Sequence, residues 1–242
     1  MNEANPAPAT PLAPALHEEE TLATKLSAGL QRVQQDPTPR WPAIIAALSV
    51  GGLTYALPES LQVGPRWILL VIVGVLIVPA SVTFHIGKHH TNQFIGYALS
   101  TVLTVALCLY LAQLITFLPT GREKAPQLLH SAAALWMTNV LVFALWYWRL
   151  DGGGPHQRDA RATHTKFDGA ILFPQMTLDG CEEWTPQFVD YLFLAFNTST
   201  AFSPTDAPIL SRWAKCLMMV QSLVSLLILA LLAARAINIL PN

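Results

Sequence analysis

Between Trp67 and Phe84 the chain reads WILLVIVGVLIVPASVTF, eighteen positions without a charged residue. A helix needs ~20 apolar residues to cross a hydrocarbon core, so a run of this kind is expected to span a membrane. Four further stretches share its character: Trp41 to Leu57, Phe94 to Leu118, Leu128 to Trp148, and Trp213 to Leu240. Arg66-Trp67 and Trp146-Tyr147-Trp148-Arg149 supply the aromatic and cationic anchors typical of a membrane boundary. Only 12% of the 242 residues are charged, against roughly 25% in soluble domains. The expected fold is therefore all-α: an integral membrane helical bundle of about five transmembrane helices, multi-pass in a cell inner membrane, with the lipid bilayer as its first partner. A net charge of -1 carries no polyanion signal, so nucleic acid is not an expected partner. Cys108, Cys181 and Cys216 show no metal or disulfide spacing.

Residues 1–40 open on the Pro/Ala-rich NPAPATPLAPA, which has too little apolar surface to order itself and does not resemble a secretory signal. From His17 to Asp36, Leu22, Leu26, Leu30 and Val33 recur at helical spacing behind Glu18 to Glu20, which predicts an amphipathic surface helix. Residues 41–149 hold four spans and 150–189 a polar loop with a Gly152-Gly153-Gly154-Pro155 breaker. His85 and His89, four residues apart, have no carboxylate or thiolate close by in sequence and read as an interfacial basic turn, not a metal site. Isolated amides at Gln113 and Asn139 are expected to hydrogen-bond between helices.

Residues 190–242 carry the stretch in which function is sought. DYLFLAFNTSTAFSPTDAPILSRW, Asp190 to Trp213, starts apolar, passes into Asn197, Thr198, Ser199 and Thr200, and breaks at Ser203-Pro204-Thr205-Asp206-Ala207-Pro208. Proline lacks an N–H and disfavours helix in the residue before it. Asp190 to Ala201 is too short to cross, which predicts a re-entrant helix that enters and turns back before the last span. Irregular backbone at membrane depth is tolerated only where protein or a water-filled cavity surrounds it. Glu182, Glu183, Asp190 and Asp206 can form an acidic vestibule beside it.

The order span, polar turret, short helix, polar break, span resembles the pore domain of the potassium-channel superfamily, whose signature is E-T-A-T-T-V-G-Y-G-D. NTSTAFSPTD, Asn197 to Asp206, aligns with it without a gap. The resemblance puts Asn197 at the pore-helix acid, Thr198 and Thr200 on the family threonines, Ala201, Phe202, Ser203, Pro204 and Thr205 on the filter, and Asp206 on its closing aspartate. Ser203 and Thr205 stand where the family has glycines, so the likeness implies a wider cation path lined by hydroxyls, not a carbonyl filter. The T-x-T-x-F-S-P-T-D stretch ahead of a last span is also similar to that of other bacterial multi-pass membrane proteins.

The resemblance implies a channel-like passive pathway for small monovalent cations, with Asn197 to Asp206 at the constriction and Gln221, Ser222 and Ser225 lining the path below. One re-entrant segment cannot enclose a pore, so a symmetric homo-oligomer, most simply a tetramer, is implied. The alternative is a scaffold or accessory subunit in which the same motif packs against the spans. No enzymatic spacing of His, Asp, Glu or Cys is present, and neither a cofactor nor a metal is expected. With five spans, Lys25, Arg32, Arg40, Lys88, Arg149, Arg158, Arg161, Lys166, Arg212 and Lys215 fall on one side, ten of fourteen basic residues, against Arg66, Arg122, Lys124 and Arg235. The positive-inside rule makes the larger group cytoplasmic, whereas the superfamily presents its pore loop outside. The two indications of orientation oppose each other.

Overall fold

The computed structural model describes residues 38–117, 125–159, 169–178, 184–200 and 207–239. The stretch His17 to Asp36, Cys181 to Glu183 and Ala201 to Asp206 lie outside them. The helices are α1 (Trp41–Tyr55), α2 (Ile68–His85), α3 (His89–Phe117), α4 (Ala125–Leu150), the short α5 (Pro155–Asp159), α6 (Phe188–Thr200) and α7 (Arg212–Ile239). Each apolar stretch read from the sequence becomes one helix. Four of them, α2, α3, α4 and α7, are long and apolar enough to cross a membrane, while α1 is shorter at 15 residues.

Local chemistry sets the boundaries. Pro42 sits in the first turn of α1, where its missing N–H costs nothing. The α2–α3 corner is tighter than the sequence suggests, so α3 begins at His89 and not at Phe94. Gly87 takes φ 76 there, and Lys88 N–H donates to Thr83 O at 3.0 Å. This is a Schellman-type helix end, which a residue without a side chain makes without strain.

α4 is the axis of the bundle, packed by α1, α3, α6 and α7. In its most apolar stretch 67% is buried, against 11% for α2 and 17% for α7. α3 faces the core with Leu99, Leu103, Leu107, Leu111 and Leu114, the three-to-four spacing of one helical stripe. The outer faces of α2 and α7 keep Val71, Val75, Val78, Leu223 and Leu226 exposed.

One end of the bundle gathers most of the described basic residues. The Arg40 guanidinium lies 4.5 Å over the Phe84 ring, which puts the start of α1 beside the end of α2. Gln93 at the start of α3 donates to Gly153 O at 3.0 Å just after α4, and Arg40 pairs with Asp159 at 3.0 Å. The connection after α4, expected as a polar loop, is fastened to the bundle where it is described. Asp151 is buried and accepts the N–H groups of Ala170 (2.6 Å) and Ile171 (3.3 Å) and the Tyr191 hydroxyl of α6 (2.7 Å). Arg158 donates to the carbonyls of Trp148 (2.9 Å) and Asp151 (2.6 Å), closing the turn from above.

Candidate functional site

α6 is amphipathic, and its inward face carries both apolar and polar anchors. Phe188, Tyr191, Leu194, Ala195 and Ser199 are buried, while Val189, Phe193 and Phe196 are exposed. Its first turn is closed by Asp190, whose carboxylate accepts the Gln187 N–H at 2.7 Å, half of a capping box. Partial burial holds the Asp190 carboxyl above its usual range, opposed by that hydrogen bond.

The inward face is locked by a buried polar network. Gln221 of α7 donates to Ala195 O (2.7 Å) and Ser199 Oγ (2.8 Å), and its Oε1 accepts the Tyr147 hydroxyl of α4. Asn139 donates to Gln221 O at 3.3 Å, and Ser225 donates to Ser199 O at 2.6 Å while accepting Trp136 Nε1–H at 2.9 Å. Ser222 reaches Thr198 O at 3.4 Å. α4, α6 and α7 are thus joined at one point by side chains whose hydrogen bonds stay inside the protein.

The chain returns to its starting level after α6. Ile209 forms an antiparallel bridge with Ile171, and Leu172 N–H and Leu210 N–H bond Pro208 O and Ala170 O at 2.9 and 2.8 Å. Asp151 ties Ala170 and Tyr191 together at that same level. Thirteen helical residues run from Phe188 to Thr200, and by Ile209 the chain lies again beside Ile171, at the level where α6 began.

Beside α6 lies a cleft of about 590 Å³ lined by Phe173, Pro174, Gln175, Asp190, Phe193, Leu194, Asn197 and Ala207. Gln175, Asp190 and Asn197 are its polar lining residues, and Gln175 Oε1 is buried with no hydrogen-bond partner. Hard cations take such oxygen ligands. No group of three or more His, Cys, Asp or Glu side chains suited to a metal occurs among the described residues.

The residues singled out in the sequence therefore separate. Asn197 reaches the cleft, Thr198 and Thr200 bond back to Leu194 O (2.8 Å) and Asn197 O (3.1 Å), and Ala201, Phe202, Ser203, Pro204, Thr205 and Asp206 are outside the described residues. Gln221 and Ser225 are buried against α6, and Ser222 is half-buried beside them. No sequence signal marks Gln175, which reaches the cleft from the connection between α5 and α6, or Asp151. His85 Nδ1–H donates to Ser81 O (2.9 Å), while His89 stacks on His156. Compared with protein-family models, with curated proteins and with solved structures, the chain matches none.

Proposed function

We propose that this chain is a multi-pass membrane protein of five spans with α6 as a re-entrant helix, and that small monovalent cations pass along the cleft beside it. The observation that carries the proposal is the Ile171–Ile209 bridge, which returns the chain to the level at which α6 starts. The apolar outer faces of α2 and α7 suit lipid, since exposed apolar area on this scale is costly in water. By the positive-inside rule the basic end faces the cytoplasm, so the likeness to potassium channels is one of architecture, inverted in the membrane.

The proposal moves the pathway off α7. Gln221 and Ser225 direct hydrogen bonds to α6, and the polar route runs instead past Gln175, Asp190 and Asn197. In a homo-oligomer the exposed Val189, Phe193 and Phe196 would meet the neighbouring protomer. The same buried network favours a second reading, a non-transporting accessory or scaffold subunit in which α6 is a packing element.

Cation flux into liposomes separates the two. Wild-type protein is expected to pass potassium or sodium, and Asn197→Leu and Asp206→Asn at matched incorporation are expected to cut that flux several-fold without loss of folding. Undiminished flux in both variants would contradict the pathway. No flux from well-incorporated wild-type oligomer would favour the accessory subunit.

A further inference from the structure

A second cleft, of about 470 Å³, opens at the basic end of the bundle, away from α6. Its charged and titratable lining is Arg40, Arg149, His89, His90 and His156, reached from α1, α3, α4 and α5. Asn92, Gln93 and Gln157 add amide groups. Among the described residues, the one acidic group bonded to this set is Asp159, already engaged by Arg40 Nη2 at 3.0 Å and by Thr38 Oγ1 at 2.7 Å. Arg40 and Arg149 against Asp159 leave one positive charge before any histidine is protonated.

Arg149 is what makes this more than an interfacial fringe. Its Nε is buried with no hydrogen-bond partner, and no carboxylate lies within ion-pair distance among the described residues. A side-chain carbon at Gly96 would overlap the Arg149 guanidinium, so the glycine leaves the space in which that group sits on α3. An arginine that only snorkels holds its head in open water. Arg149 is half-buried, with its guanidinium carbon 5.5 Å from the Trp148 ring centroid and its Nε shut off from water, and an anion in the cleft would complete its fork. His89 and His156 stand together at the rim, ring centroids 3.3 Å apart with planes 10° from parallel, two imidazoles able to donate to the same anion.

We propose that this cleft binds a phosphate group, carried by an anionic phospholipid headgroup or by a small soluble phosphate, with Arg149 and Arg40 as its charge partners and His89, His90 and His156 as further donors. The site does not depend on cation passage. A lipid source depends only on the membrane placement of the bundle, where this end lies at headgroup level.

The test uses the full chain in a phosphate-free maltoside detergent. Its thermal midpoint is followed against inorganic phosphate, against phosphatidylglycerol, and against sodium chloride and monoolein as controls. Either phosphate ligand is expected to raise the midpoint saturably beyond the controls. Arg149→Gln should need about tenfold more ligand, the loss of one charge-assisted contact; His90→Gln, at an exposed position, should weaken it less. A response to phosphatidylglycerol alone assigns a lipid headgroup, and a response to both ligands assigns the phosphate itself. No shift beyond the controls overturns the site, as does a shift with the same concentration dependence in Arg149→Gln and His90→Gln. If Arg149→Gln does not fold, wild-type ligand dependence in both Arg149→Lys and His90→Gln overturns it equally.

Discussion

His156 is the single side chain whose surroundings bear most directly on behaviour in solution. Burial first, then the neighbouring His89 and Arg40, lower its pKa below the ordinary histidine value, with Asp159 opposing. The folded state then takes up its proton at a lower pH than the unfolded chain does. Below about pH 6.5 the unfolded chain binds more protons, so stability is retained above that value and declines as pH falls through it. In phosphate-free buffer, acidification from neutral pH to about pH 5.5 is expected to lower the thermal midpoint more for wild type than for His156→Gln. Equal losses would remove His156 as the cause. None of this was legible in the sequence, where His89 and His156 stand far apart. His85 and His89 invited pairing by spacing alone, yet the corner at Gly87 sends them to different neighbours.

Among the elements, α6 and its attachment are the part that sequence resolved best and interpreted least. The sequence predicts the helix over Asp190 to Ala201 and it spans Phe188–Thr200, because the apolar run before it and the proline-rich break after it are both local signals. Polar residues along α7 were equally visible, but a pore and a helix interface require the same pattern of amides and hydroxyls on one face. Gln221 and Ser225 are buried, with hydrogen bonds to α6, which suits a helix interface. Gln221→Leu is expected to cost about 2 kcal/mol, since roughly 0.6 kcal/mol goes with each of its side-chain hydrogen bonds, and to lower the midpoint by several degrees. Ser222→Ala loses one contact at 3.4 Å and should leave the midpoint nearly unchanged. Equal effects in the two variants would show that the network does not hold α6 in place.

For the whole molecule, the apolar runs were legible because each carries its own length and composition. Their assembly was not, because nothing local says that α4 becomes the axis or that Asp151 pins the following connection to α6. The account rests on α6 entering and leaving at one end. Single cysteines at the exposed Gln187 and Leu210, introduced after removal of Cys108, Cys181 and Cys216, flank the element. With a membrane-impermeant maleimide on sealed vesicles of known orientation, both positions are predicted to label from the same side. Labelling from opposite sides would make α6 part of a crossing segment and contradict the account.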